Sequence, residues 1–471
     1  MHFKTIFKSF KNKDMLKRIL IVLGIIVVYR FLAHVPVPLG DSATFKEAVE
    51  NLLSKSDFSS FLNLVSGGGL TSLSIILVGL SPFITSSIVV QLITKAVPKL
   101  EELSQDGEAG RRKINQWTRI LTIPLAIVQS ITYIFILRQT AMANTASTIE
   151  LNASQWVLAV VAMTAGSIIL MWLGELISEQ GIGNGISMVI FASIISQFPN
   201  TFASLWASLF DTSEGALSLF GWLNLPVNPT VFWITIGFVV ALIVVIYLLV
   251  KLNEAQRIIT INYAKRVHGN SSYGGIKSIL PIKLIAAGVV PVIFATSFLA
   301  LPALIGQLIV TLNPGNEFAT NMINIFTAPS ASNFSTQYPN GITAQWFLYP
   351  AMYFILVVAF TYFYTSIIFN TNEIADNLQK QGGFIEGVRP GTTTAKYLTN
   401  VVNRLNLLGS LALGLIAMLP FLTDYIFILT LGYPIGLSLS GTGLLIVVTV
   451  ALESLRQLDS RALMITYDDY K

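Results

Sequence analysis

Long apolar runs alternate along this chain with shorter polar gaps. About 20 consecutive apolar residues suffice to cross a bilayer as a helix. Ten segments qualify as candidates: roughly 19–35, 74–94, 118–138, 155–174, 184–199, 229–250, 284–303, 346–369, 406–428 and 434–453. Two of them, 184–199 and 284–303, are short or interrupted by Gly and Pro. The pattern predicts an all-α, polytopic membrane protein of about ten transmembrane helices.

The polar gaps are not equivalent. Six basic residues precede residue 19 (Lys4, Lys8, Lys11, Lys13, Lys17 and Arg18), six lie between Lys95 and Arg119, and six between Lys251 and Lys283. Four more lie between Lys380 and Arg404, and three from Arg456 onward. Of the 29 Lys and Arg, only Arg30, Lys46, Lys55 and Arg138 fall elsewhere. Cytoplasmic loops of membrane proteins are enriched in Lys and Arg. Basic residues in every second gap therefore predict both termini in the cytoplasm and an even number of spans. One short gap breaks the pattern: around Glu175 and Glu179 it is acidic where the topology makes it cytoplasmic. Acidic residues influence topology little.

Composition agrees. Hydrophobic residues make up 53% of the 471 and charged residues only 11%, against about 25% in soluble domains. The net charge of +5 comes from one set of loops and suits anionic headgroups or RNA. There are no cysteines, so no disulfide or thiol chemistry, and three scattered His residues (His2, His34, His268) do not form a His-rich metal site. The basic residues before Ile19–Val28 resemble the start of a secretory signal. No small-residue cleavage site follows in Tyr29–Pro36, which predicts an uncleaved first span ending at Pro36 and Pro38.

Two short echoes join the halves of the chain. Gly79-Leu80-Ser81-Pro82-Phe83-Ile84 is matched by Gly288-Val289-Val290-Pro291-Val292-Ile293, and Gly183-Asn184-Gly185-Ile186 by Gly441-Thr442-Gly443-Leu444. Each pair is five spans apart. An odd offset inserts the two copies with opposite orientation, the arrangement of inverted-topology repeats around a midplane site. Pro82 and Pro291 should break or kink their helices, and freed backbone groups at that depth must face protein or a water-filled cavity. A single such proline is equally a packing kink; two in matching contexts point to a pore.

Catalytic and coupling chemistry is missing. Spans two, four, five, seven and eight carry no Asp, Glu, Lys or Arg centrally, whereas coupled transporters place ionisable residues there. No His lies mid-span, and no nucleophile elbow, zinc-protease motif or Walker A loop occurs. Gly181-Ile182-Gly183-Asn184-Gly185 follows no strand and is not a dinucleotide fingerprint. What remains is a helical bundle whose inner faces offer Leu80, Ile84, Ile186, Ile190, Val290, Ile293 and Ile446. Ile186 and Ile190 are four apart and share a helix face, as do Leu80 and Ile84. A constriction ringed by aliphatic side chains excludes ions by dewetting and can deform around a large, chemically varied substrate.

At these residues the chain resembles the SecY family, the central subunits of bacterial protein-conducting channels. The resemblance runs nearly end to end: His34–Pro38, GLSPFITSSIVVQ at Gly79–Gln91, DGEAGRRKINQWTR at Asp106–Arg119, WLGELISEQGIGNGIS at Trp172–Ser187, NYAKR at Asn262–Arg266, QGGFIEGVRPG at Gln381–Gly391 and GTGLLIVV at Gly441–Val448. It implies one membrane-embedded channel domain, residues 1–471, with two inverted halves (about 19–199 and 229–455) around a central pore. Leu80, Ile84, Ile186, Ile190, Ile293 and Ile446 match the pore ring. The stretch Phe58–Leu70, with Phe58, Phe61, Leu64, Gly67, Gly68, Gly69 and Leu70, matches the plug. Thr85 and Gln129 fall at the lateral gate, where helices two and three meet seven and eight. Arg257, Lys265, Arg266 and Arg389 match the surface on which the ribosome and the SecA ATPase dock. Two departures, Glu386 in place of Pro and Gln256 in place of a second Arg, lower the positive charge there.

The implied function is a channel in the bacterial plasma membrane. It would translocate unfolded preproteins and release apolar segments sideways among membrane lipids, with the small subunits SecE and SecG and without enzymatic activity, metal or cofactor. An accessory channel with few substrates, a secondary transporter and a membrane scaffold are the alternatives.

Overall fold

Each of the ten apolar runs contains a helix in the computed structural model, which describes residues 13–38, 69, 72–144, 152–210, 217–219, 223–225, 227, 229–263, 266–268, 271–273, 277–313, 315–328, 344–431 and 437–468. The long helices are α1 (Lys13–Leu32), α2 (Ser81–Ala96), α4 (Gly107–Asn144), α5 (Ala153–Gln180), α6 (Gly185–Leu209), α7 (Pro229–Glu254), α8 (Val290–Leu312), α10 (Leu348–Ile368), α12 (Thr392–Leu431) and α13 (Leu437–Asp468). Three shorter helices intervene: α3 (Pro98–Gln105), α9 (Glu317–Phe326) and α11 (Thr371–Lys380). Six stretches among the described residues are long and apolar enough to cross a membrane: Gly107–Arg138, Ala153–Gln180, Thr235–Glu254, Val290–Val310, Leu348–Lys380 and Thr392–Thr423. A seventh arises if α2 and α3, bent by 109° where Val97 precedes Pro98, count as one.

The two prolines of the first echo start helices instead of kinking them. Pro82 and Pro291 each sit at the second position of their helix, where the missing N–H has no intrahelical partner to lose. In both copies the glycine three residues earlier is left-handed, φ +63° at Gly79 and +62° at Gly288, a backbone that favours glycine. The second echo does not extend to conformation. Gly183 turns the chain with φ +93°, whereas Gly441 lies inside α13.

Side-chain hydrogen bonds tie neighbouring helices, each worth on the order of 1 kcal/mol in a membrane. Tyr29 on α1 hydrogen-bonds Ser193 on α6 at 2.9 Å, and Arg30 Nη1 donates to Ser196 at 2.9 Å. Ser86 on α2 donates to the Thr118 carbonyl of α4 at 2.6 Å, and Ser167 on α5 to the Gly79 carbonyl at 2.8 Å. The acidic gap also has a structural reading: Glu175 forms an ion pair with Arg119 at 2.7 Å.

The chain divides into two compact units. One comprises residues 1–242, 296–349 and 420–471, the other 243–295 and 350–419. The first contains a core of Leu73, Leu77, Val78, Tyr133, Ile134, Leu137, Ala159 and Met163.

The second unit contains a sheet that the hydrophobic spans do not announce. Strand β3 (Gln256–Tyr263) pairs antiparallel with β6 (Lys277–Lys283) on one edge and β7 (Gly383–Ile385) on the other. Registers include Ile259↔Leu280 and Ile261↔Ile385. Two small antiparallel hairpins complete the described strands: β1 (Leu217–Leu219) with β2 (Leu223–Leu225), and β4 (Arg266–His268) with β5 (Ser271–Tyr273). Alternation puts Ile259, Ile282 and Ile385 against Leu398, Val401 and Val402 of α12, while Ile258 and Ile279 are exposed.

Leu398 is fully buried under that sheet. Leu398→Ala should cost about 2–5 kcal/mol and speed proteolytic nicking between residues 256 and 283. Exposed Leu408→Ala should change neither. Thermal unfolding with limited proteolysis checks this; equal behaviour of the two variants would contradict the packing.

Candidate channel-lining site

The aliphatic residues expected at the waist are held by helix starts and packed helix faces. Leu80 is the residue before α2, and Ile84 N–H donates to the Leu80 carbonyl at 3.0 Å, closing the first turn. Leu80 is 1% exposed and Ile84 4%. On α6, Ile186 is half-buried and Ile190, one turn on, is buried. Helix α6 packs on α5 and on α13, which carries Ile446, also buried. These five residues belong to the first unit. Ile293, in the first turn of α8, belongs to the second and is buried as well. Thr296, three residues further along α8, is a buried polar group that the sequence reading does not single out; a Thr in an apolar helix carries no distinguishing signal.

Thr85 and Gln129 are also buried, at 6% and 5% exposure, on the packed helices α2 and α4. Thr85 Oγ1 and Gln129 Oε1 have no hydrogen-bond partner among the described residues. A buried polar atom left without a partner costs about 1–3 kcal/mol. Neighbouring hydroxyls on α4 avoid this by bonding back to their own helix, as Thr122 does to the Thr118 carbonyl at 2.7 Å.

The residues flanking 39–71, the stretch that includes the segment expected to plug the funnel, are tied to each other. Pro36 and Ser74 form a β-bridge, with Val37 N–H on the Leu73 carbonyl at 2.8 Å and Ile75 N–H on the Val35 carbonyl at 2.9 Å. The 39–71 stretch thus leaves and returns at one point. Phe58, Phe61, Leu64, Gly67, Gly68 and Leu70 lie outside the described residues. Gly69 is described: it is buried, and its carbonyl accepts from Ser74 N–H at 2.9 Å.

Two of the residues expected to dock, Arg257 and Arg389, are carried on or beside the paired strands β3 and β7. Arg257 is exposed on β3. Arg389 is exposed in the turn after β7, its carbonyl accepting from Thr394 Oγ1 at 2.8 Å. Pairing of β3 with β7 joins the two loops in one unit, a link the sequence reading missed although Ile258–Ile261 is a β-branched run. Glu386 is exposed on the same turn. Arg266 is on β4, and Lys265 lies outside the described residues. No group of three His, Cys, Asp or Glu converges among the described residues. Among the described residues, the candidates are thus buried aliphatic side chains and two buried polar atoms without a partner.

The chain is similar to known proteins along nearly its whole length. The SecY family model matches residues 74–455. The protein translocase subunit SecY of Streptomyces coelicolor is 38% identical over 469 residues, covering 98% of both chains. That of Mycobacterium bovis is 35% identical over 470 residues, again covering 98% of both. Among solved structures, one described as the structure of a protein conducting channel superimposes with a TM-score of 0.65 at 18% identity, covering 93% of this chain and 90% of that one. Sec61 in a canine ribosome-channel complex superimposes with a TM-score of 0.60 and the same coverage. The fold is thus that of protein-conducting channels, and family match and full-length identity together make this chain a member of the SecY family.

Proposed function

We propose that this chain is the central subunit of a plasma-membrane protein translocase. It passes unfolded preproteins across the bilayer and releases apolar segments into it. One observation carries the reading: the waist candidates Leu80, Ile84, Ile190, Ile293 and Ile446 are buried within the protein, not presented to lipid, and helices α2, α6 and α8 carry no charge at their centres. The likeness to proteins named as translocase subunits and channels supports it.

The mechanism follows from solvent contrast. Leu, Ile, Phe and Val each favour the membrane by about 0.3–0.6 kcal/mol mid-helix, so a ten-residue apolar segment gains roughly 3–6 kcal/mol by leaving the pore sideways. Polar segments gain nothing and pass through. A ring of aliphatic side chains dewets when empty and so blocks ions. In this reading residues 58–70 back the ring as a plug, and Thr85 and Gln129 mark the seam between inverted halves 19–199 and 229–455. Both termini are cytoplasmic. Arg257, Lys265, Arg266 and Arg389 form the face for the ribosome and the SecA ATPase, which supplies the energy, and SecE and SecG complete the channel. The ribosome-bound channels among the structural matches support the docking assignment. The chain itself performs no catalysis.

Three outcomes test this. Ile190→Asn or Ile446→Asn puts an amide into the apolar waist. Each should bias the resting channel toward a wetted state by about 1–3 kcal/mol, raising resting ion conductance in planar bilayers about ten- to hundredfold. Unchanged conductance removes them from the ring. Thr85→Val deletes the orphan hydroxyl at constant shape and should stabilise the closed state by about 1 kcal/mol. Thermal unfolding should rise and weakly apolar signals should export more slowly; destabilisation would contradict the assignment. Arg389→Glu should cut export severalfold in vesicles while subunit assembly is unchanged, and normal export rates would remove Arg389 from the docking face.

A further inference from the structure

The glycine-rich turn Gly181–Gly185, between α5 and α6, has no role in the function proposed above, yet it is held from two sides. Toward α5, Gly185 N–H donates to Ser178 Oγ at 2.9 Å, and a Cβ at Gly185 would overlap the Gly174 carbonyl. Asn184 Oδ1 caps the new helix by accepting from Ile186 N–H at 3.1 Å. Toward α13, Gly183 N–H donates to Gln457 Oε1 at 2.8 Å across 274 residues of sequence. Ser454 donates to Met188 Sδ at 3.2 Å. Gly181 and Gly183 are left-handed, at φ +68° and +93°. A Cβ at Gly181 would overlap the Arg461 guanidinium, and one at Gly183 would stand 2.7 Å from Ser454 Oγ. The glycines thus admit the side chains of α13 to the turn.

Helical periodicity connects this tie to the waist. Gln457 is eleven residues, close to three full turns, beyond Ile446, so the two share one face of α13. They are separated by about 16 Å along the axis. On the other helix, the tie grips the residues that lead directly into Ile186 and Ile190. We infer that Gln457, assisted by Ser454 and Arg461, is a positioning residue. It fixes the register and rotation of α6 against α13 and thereby holds Ile186 and Ile190 level with Ile446. Near its middle α6 is steadied by the Tyr29–Ser193 and Arg30–Ser196 bonds from α1, and the α13 tie acts at its N-terminal turn. Displacing α13 at Gln457 would shift one side of the waist against the other. This inference rests on reading Ile186, Ile190 and Ile446 as channel-lining.

The test compares Gln457→Ala, Gln457→Glu and Ile190→Asn in the full-length channel complex reconstituted in vesicles. Gln457→Ala removes the acceptor; Gln457→Glu keeps an acceptor oxygen at similar reach. Hydrogen exchange reads the tie itself. In Gln457→Ala the amides of residues 183–190 should exchange about fivefold faster, the scale of one lost hydrogen bond, and Gln457→Glu should restore protection. Resting ion conductance reads the waist: Gln457→Ala should leak severalfold above the unaltered chain and Gln457→Glu should not. Ser454→Ala, which removes a single contact of the same tie, should move both readouts in the same direction by less. Unchanged exchange in Gln457→Ala overturns the tie. Faster exchange without leak, while Ile190→Asn leaks, overturns its link to the waist and leaves the channel reading standing. Absence of leak in Ile190→Asn overturns the channel reading and this inference with it.

Discussion

Hydrocarbon offers no hydrogen-bond partners, so every polar group at membrane depth must be satisfied within the protein or face water. A channel for polypeptides works against that constraint, because it must admit polar backbone without leaking ions. An aliphatic waist meets both demands, since it excludes water when empty and makes no hydrogen bond that a passing chain has to match. In the function proposed above, the buried side chains of Leu80, Ile84, Ile190, Ile293 and Ile446 are assigned to that surface. The rest of the fold serves to hold it in place. Helix starts at Ser81 and Val290 deliver Ile84 and Ile293 within one turn of a proline-marked break. Interhelical bonds from Tyr29, Arg30, Ser86 and Ser167 fix the helices around it.

A second constraint acts outside the apolar spans, where the residues proposed to dock must be carried on something rigid. The β6–β3–β7 sheet provides it. Its inward isoleucines pack on Leu398 and Val401 of α12, so a load on Arg257 or Arg389 is transmitted to a membrane-spanning helix and not dissipated in a loop. In the function proposed above, this is the route by which a docked partner acts on the channel.

Much of this was legible because a membrane span leaves a strong mark: twenty apolar residues cannot be disguised, and each of the ten runs contains a helix. The Gly79/Gly288 echo was legible for a different reason. A left-handed glycine three residues before a proline is a local device, and local devices survive in sequence. The Gly183/Gly441 echo failed because a glycine in an apolar window reads the same whether it turns the chain or packs inside a helix. The sheet was missed because Ile258–Ile261 is short and sits in a stretch whose basic residues dominate its reading. The Gly183–Gln457 bond was illegible in principle, since nothing in one sequence links positions 274 residues apart.

The absence of cysteine from the chain allows a direct measurement. Single cysteines placed at Ile84, Ile186, Ile190, Ile293 and Ile446, and at exposed Val161 and Val244, can be oxidised against a preprotein that carries one cysteine and is arrested midway through export. Disulfide adducts at the five waist positions and none at Val161 or Val244 are the predicted result. Adducts confined to Val161 and Val244, or spread equally over all seven, would contradict an aliphatic waist as the path of the polypeptide.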